Sequence, residues 1–438
     1  MTTNQRPVTI VVSDLHMGAA DPYDDFVEQD GEFARFVDEL TASNEGRKGR
    51  VELLINGDFL ELAQVNPDVY QLGSSEFWCS ESESLLKLEP ILQGHRNVFD
   101  AIKRFQAASN QCTLFAGNHD VELYWLKVQA RLRAAAGNVR FELGEVWYSR
   151  YEGRLRLSHG HMFDPANSFE NWKNPMKLAH DGLRLEMCAG TMFMVKFVNW
   201  MEHEYPFADN IHPNWRLATV LWKEAKDGLA LAAWLFARFA ARHSKFTLGR
   251  HDDALADMSK MGDWVVVYLG SDEPFRRKVT ALWNDVYGAS KTPDEIVTAL
   301  ATPDAVEAFM VEVLVRVSPE RWLPVFDGVR PDTLQIAKSG QWKSTIGLRQ
   351  EAKQQWDTGA EIVTIGHTHE YDAFTDGLKR YYNTGSWTRS LPWSKDKELT
   401  LARLKDESWF PYNLIFLRVE QQADGRLASE MGSRGRSA

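Results

Sequence analysis

The stretch Thr113-Leu114-Phe115-Ala116-Gly117-Asn118-His119-Asp120 decides how the chain is read. Its first half is a short apolar run of the kind that forms a buried strand, and it breaks into a tight turn at Gly117. The turn then offers an amide oxygen, an imidazole and a carboxylate in succession. In open α/β sheets, ligands bind in the crevice beyond the carboxyl ends of the strands. The weight of this one turn therefore depends on what stands at the ends of the other strands.

Toward the N-terminus, Val8 to Val12 is a continuous β-branched run ending in Ser13-Asp14-Leu15-His16-Met17-Gly18, and Val51 to Ile55 ends in Asn56-Gly57-Asp58. Helical apolar spacing fills residues 24–40 (Phe26, Phe33, Phe36, Val37, Leu40) and 85–107, and returns over 121–136. This β-α-β-α-β-α rhythm predicts a layered α/β domain. Toward the C-terminus, residues 139–151 and 154–157 alternate as strands around Glu152-Gly153, which predicts a hairpin, and the second strand ends in Ser158-His159-Gly160-His161. From about 165 to 356 the sequence reads as largely helical, with 214–246 the longest helical stretch. That is too long for a plain loop, so a helical insertion is expected, serving as a packing extension or as a cap over the site. Its aromatic residues Trp200, Phe207, Trp215, Trp222, Trp234 and Phe236, among Arg216, Lys223 and Arg238, are either its own core or the lining of that cap. Strand signals resume at 361–365 and end in Gly366-His367-Thr368-His369. The predicted organisation is one α/β domain built from 1–164 and 357–425, an insertion at 165–356, and a disordered tail over 426–438.

Composition narrows the function. Across 438 residues, 44% are hydrophobic and 25% charged, as in soluble globular proteins. With 50 basic and 61 acidic residues the formal charge is −11, which weighs against a grip on long nucleic acid by phosphate neutralisation. Cys79, Cys112 and Cys188 make neither a disulfide framework nor a zinc-type pair, so a reducing cytoplasmic setting is expected. Residues 1–6 lack an apolar signal core, and the apolar run 229–241 is interrupted by Arg238 and shorter than the roughly 18–20 residues a membrane span needs. No transmembrane segment is expected; peripheral membrane contact stays open.

Every predicted strand end carries metal-ligating side chains: Asp14 and His16, then Asp58, then Asn118 and His119, then His159 and His161, then His367 and His369. Taken singly, His16 reads as a hydrogen-bonded structural histidine and Asp58 as a helix N-cap. Five such turns in succession do not read as chance. In extended geometry the i, i+2 pairs Asp14/His16 and His367/His369 send both side chains to one side. A mixture of carboxylate, imidazole and amide oxygen suits manganese, iron, zinc or nickel rather than magnesium alone. One carboxylate shared by two ions about 3.5–4 Å apart is the usual arrangement of two-metal hydrolytic sites.

The ordered set Asp-x-His, Gly-Asp, Gly-Asn-His-Asp, His-Gly-His and Gly-His-Thr-His resembles the calcineurin-like metallophosphoesterase superfamily over 1–164 and 357–425. The resemblance implies a four-layer α/β/β/α sandwich and two divalent ions, manganese first, with iron, zinc or nickel as alternatives. It implies Asp14, His16, Asp58 and His369 for the first ion and Asp58, Asn118, His159 and His367 for the second, with Asp58 bridging. His159 takes the ligand position by the family's pattern, whereas the residues alone leave His159 and His161 open. His119 would be the non-ligand acid beside the scissile phosphate. Asp120 would orient it, in competition with a role as N-cap of the helix beginning at Val121. The implied activity is hydrolysis of a phosphodiester, phosphomonoester or pyrophosphate in a small phosphorylated substrate, by hydroxide bridging the ions.

Asp58-Phe59-Leu60-Glu61 departs from the Gly-Asp-x-Val-Asp-Arg-Gly of protein serine/threonine phosphatases. Asn383-Thr384-Gly385-Ser386-Trp387 and Gly366–His369 look like the bacterial UDP-2,3-diacylglucosamine pyrophosphatase branch, so a sugar-nucleotide or lipid-linked pyrophosphatase is the narrower alternative. Histidine rather than arginine at 119 and the much larger insertion set the chain apart from that branch. The alternative of another class is a binding scaffold of the same fold without catalysis. Against it stands a competent ligand at every position of the motif set.

Overall fold

The computed structural model describes residues 7–65, 79–164, 167–179, 182–211, 217, 220, 265–266, 269–270, 272–317, 319–326, 343–391 and 398–434. Four strands, β1 (Val8–Val12), β2 (Val51–Asn56), β3 (Gln111–Phe115) and β4 (Arg140–Glu142), run parallel in that order. Between them pass α1 (Asp30–Ala42), α2 (Glu81–Gly94), α3 (Arg96–Ala107) and α4 (Leu126–Ala136). A second sheet takes in β5 (Tyr148–Arg150), β6 (Leu155–Ser158), β9 (Ile362–Ile365), β10 (Tyr371–Asp376) and β11 (Lys379–Thr384), in the order β10-β11-β9-β6-β5; β7 (Met176–Ala179) and β8 (Gly182–Leu185) form a separate antiparallel pair. Finally β12 (Ile415–Gln421) pairs antiparallel with β1, and β13 (Leu427–Ser433) pairs antiparallel with β12. The architecture is α/β with mixed sheets.

The continuous apolar runs at β1 and β2 are explained by burial on both faces. Ile10, Val12, Leu53, Ile55 and Leu114 pack with Phe33 and Val37 of α1 and with Phe99, Ile102 and Phe105 of α3. In α3 the i, i+3, i+4 spacing of Val98, Ala101, Ile102 and Phe105 makes the face that does so. Val11, Leu54 and Phe115 point the other way and meet Leu155, Leu157 and Ile362 of the second sheet. Each such side chain contributes about 1.5–3 kcal/mol by leaving water.

The parallel register places the functional turns. Val12 lies opposite Ile55 and Ile55 opposite Leu114, so β1, β2 and β3 end level with one another. Ser158 lies opposite Ile365 in the second sheet, so β6 and β9 also end level.

Four sequence expectations are corrected. The strand expected over 139–151 is two strands in different sheets, β4 and β5, because the chain turns at Gly144 (φ +86°) and crosses between them. The tail expected to be disordered from 426 is ordered through 434. Leu427 and Met431 join the inter-sheet core, and Arg434 pairs with Glu32 and Glu39 of α1. The insertion expected to be largely helical contains the β7–β8 hairpin. Lastly, α8 (Lys343–Asp357), assigned by sequence to the insertion, packs on the second sheet through Leu348, Ala352 and Trp356 against Val363, Ile365 and Tyr381.

Elsewhere the insertion holds α5 (Glu273–Tyr287), α6 (Pro293–Ala299) and α7 (Pro303–Arg316), which share a core with Leu391, Leu404 and Phe410. Phe207 stacks on Phe410 at 5.0 Å and packs, partly buried, against this core. Most of the expected 214–246 helix and the side chains of Trp200, Trp215, Arg216, Trp222, Lys223, Trp234, Phe236 and Arg238 lie outside the described residues. Among the described residues no helix is long and apolar enough to cross a membrane.

Candidate metal centre

Where β1, β2 and β9 end, the backbone leaves ordinary strand geometry. Asp14 (φ 56°), His16 (φ 49°), Asp58 (φ 48°), His367 (φ 72°) and His369 (φ 55°) all sit in the left-handed region. For a residue with a Cβ this costs of the order of 1–3 kcal/mol each, and such strain concentrates at functional sites. A dense set of hydrogen bonds holds it. Leu15 N and His16 N donate to Asp58 O, Trp387 N and Ser386 Oγ donate to Asp14 O, and His367 N donates to the Asp14 carboxylate at 3.1 Å. His119 N donates to Asp58 Oδ1 at 2.9 Å.

Two glycines are required by close approach. A Cβ on Gly117 would lie 2.1 Å from Asp58 Oδ1, and one on Gly57 would lie 2.4 Å from the His159 ring.

These turns gather three groups whose ligand atoms converge within 4.8 Å: Asp14, His16 and His369; His16, Asp58 and His119; and Asp58, His159 and His367. His16 Nε2 is 2.9 Å from His369 Nε2 and 3.7 Å from Asp58 Oδ2. His369 Nε2 is 3.5 Å from Asp14 Oδ1, and His159 Nε2 is 3.0 Å from Asp58 Oδ2 without hydrogen-bond alignment. Asp58 thus belongs to two of the three groups, one on each side of it.

The donor set fits a cation. His159 Nδ1 bonds Asn56 O at 2.9 Å; because a carbonyl can only accept, Nδ1 carries the proton and Nε2 presents its lone pair inward. His16 Nδ1 faces the Glu61 carboxylate at 2.6 Å, which fixes its tautomer in the same way. The inward atoms of His16 and His369 are then two nitrogens in contact that an ion between them would satisfy. Asn118 Nδ2 donates to Asn167 Oδ1, which leaves Asn118 Oδ1 as a buried acceptor with no hydrogen-bond partner among the described residues. The field points the same way. Burial opposes charge on Asp58, but His159 and His119 outweigh it and hold the carboxyl well below its usual range. Burial likewise opposes protonation of His159, but Asp58 and Asp14 raise its pKa to about 9. Carboxylates that attract a proton this strongly also favour a metal ion in its place.

Asp120 does neither of the things expected of it. Its carboxylate accepts from Gly117 N at 2.7 Å and Phe59 N at 2.9 Å, makes no capping bond to the 3-10 turn Val121–Tyr124, and does not hold His119. Burial, with Asp58 nearby, raises its pKa to about 7. It is a tie between the β2 and β3 turns. The partner of His119 is Glu61, whose Oε1 and Oε2 lie 2.8 and 2.7 Å from His119 Nδ1 while Oε2 also meets His16. Burial opposes the Glu61 carboxylate, yet His119 and His16 lower its pKa to about 2. Sequence reading passed over Glu61. Its one signal, an acid three residues after Asp58 on the same turn, is weak by itself.

His161, the other candidate beside His159, is in none of the converging groups. Its ring is buried against Trp172 at 4.3 Å, and burial beside His159 and His367 lowers its pKa well below the usual value. His367 Nε2 lies 3.1 Å from Asp164 Oδ2.

Beside this centre a cavity of about 20 Å³ is lined by His16, Glu61, His119 and His369 together with Asp25, Asp209 and Asn210, so the insertion borders the site. No family model matches the chain, and no curated protein matches it.

Proposed function

We propose that this chain is a metal-dependent hydrolase of phosphoric ester or anhydride bonds, of the calcineurin-like metallophosphoesterase type, with two divalent ions, manganese foremost. We read its helix, sheet, sheet and helix packing as the α/β/β/α sandwich of that type. The observation that carries the reading is Asp58, placed between His16 on one side and His159 on the other, as a carboxylate shared by two ions would be.

Asp14, His16, Asp58 and His369 would hold one ion, and Asp58, Asn118, His159 and His367 the other. Bound ions of this kind lower the pKa of water toward neutrality and neutralise charge on phosphoryl oxygens. The chain's own residues do the rest. His119 is 11% exposed at its side chain, with Nδ1 turned to Glu61. Its proton for the leaving oxygen is therefore carried on Nε2. Burial opposes the imidazolium, but Glu61 and Asp58 raise the pKa of His119 above its ordinary value. Glu61 orients His16 and His119 together. Asp120 fixes the turn that presents Asn118 and His119.

The test is hydrolysis of bis(4-nitrophenyl) phosphate by purified protein supplied with Mn²⁺. His119→Ala is expected to lose about 10²–10⁴-fold in kcat while keeping its metal. Full activity in metal-stripped protein contradicts the reading. A screen of phosphomonoesters, cyclic nucleotides, dinucleotides and sugar-nucleotide pyrophosphates then assigns the bond.

A further inference from the structure

Trp172, whose far neighbour is His161, also lines a cavity of about 460 Å³ that includes none of the candidate metal ligands. The volume lies within the range of small-molecule sites, about 300–1,000 Å³. Its walls are apolar where Trp147, Val146 and Trp172 face it. Both indoles are held: Trp172 Nε1 donates to Glu145 O, and the Trp147 ring packs on Phe163 at 5.6 Å.

The distinctive group is Arg156. In β6, Leu155 and Leu157 point into the inter-sheet core, so Arg156 leaves on the opposite face, where it lines the cavity. Its guanidinium makes no hydrogen bond or ion pair within the described protein, and Nε is fully buried. The other charged groups there do not answer it. Lys173 Nζ lies 3.6 Å from Glu145 Oε1, and Glu170 forms no ion pair with Arg156. The buried Nε is out of reach of the cavity, so an oxyanion there would meet the terminal N–H groups of the guanidinium, which have no acidic partner among the described residues.

We infer that the cavity bounded by Trp147, Arg156 and Trp172 is a binding site for a small molecule that joins a flat apolar group to an oxyanion. The ring lies against the indoles and the oxyanion engages Arg156. The lining includes none of the candidate metal ligands, and the inference does not depend on hydrolysis at the metal centre.

The experiment is titration calorimetry of the metal-loaded full chain with 2-naphthalenesulfonate, which carries both features and no hydrolysable bond. Saturable binding at one site per chain is expected. Arg156→Gln should weaken it at least tenfold, Arg156→Lys should weaken it less, and methanesulfonate, which lacks the ring, should bind at least tenfold more weakly than the probe. Trp147→Ala supplies a second variant in the apolar part of the lining, and a melting curve for each variant establishes that it is folded. Absence of saturable binding to the unaltered chain overturns the inference. So does binding that folded Arg156→Gln and Trp147→Ala both retain at full strength.

Discussion

Glu61 holds two imidazoles with one carboxylate: Oε2 lies 2.6 Å from His16 Nδ1 and 2.7 Å from His119 Nδ1, and Oε1 lies 2.8 Å from His119 Nδ1. In Glu61→Gln the charge is lost and one neutral amide oxygen is left to accept from both imidazole N–H groups. The bond that turns Nε2 of His16 inward and the bond that orients His119 are both weakened. Partners that orient metal-ligating histidines typically contribute 10–100-fold in affinity or activity. A loss of that size in kcat/KM or in metal affinity is expected for Glu61→Gln, with the fold intact by circular dichroism, and unchanged values for both contradict the role. That Asp14, His16, Asp58, His159, His367 and His369 could gather at one place was legible because the chemistry of each is written in its identity and in its place after a strand. Glu61 and Asp120 were not. Which carboxylate reaches which ring depends on left-handed φ values at Asp14, His16 and Asp58, and residue type alone does not encode those.

Between elements, His95 does for the helical layer what Asp120 does for the turns. It closes the corner between α2 and α3, with Nδ1 2.6 Å from Asp30 at the start of α1 and Nε2 2.8 Å from Asp24 and 3.0 Å from Gly18 O. Burial opposes its charge, but Asp24 and Asp30 outweigh it and raise the pKa to about 9. A histidine raised in the folded state adds stability that is fully present below its unfolded pKa, near 6.5, and is lost as pH rises through 9. The amount is on the order of 3 kcal/mol. Urea midpoints should therefore fall between pH 6.5 and 9.5, and His95→Gln should be less stable at pH 6.5 and show a flatter decline. An equally steep decline in the variant contradicts the clamp. At this scale the strongly periodic segments, β1, β2, β3 and α3, could be read from sequence. The 139–151 stretch could not, since alternation says that a strand exists and not which sheet it joins. Nor could β13, where Leu427 and Met431 are spaced for a strand but surrounded by Gly, Ser and Arg that read as a tail.

For the whole molecule, two sheets built from both ends of the chain bring five turns to one place, although His16 and His369 are separated by 353 positions. The register of the parallel strands makes this an outcome of the fold rather than of local sequence. The insertion's sequence carried less information, because aromatic residues at helical spacing look alike in a core and in a cap. Cations bound at such a centre stabilise the native chain by mass action, about 4 kcal/mol at a thousandfold excess over Kd. The most direct test of the central claim is metal content by mass spectrometry after Mn²⁺ loading and gel filtration, compared between the unaltered chain and Asp58→Ala. Two ions per chain, falling to one or none in the variant with loss of phosphodiester hydrolysis, is the predicted result. One ion or none in the unaltered chain, or two retained in a folded Asp58→Ala variant, would contradict a shared carboxylate at the centre.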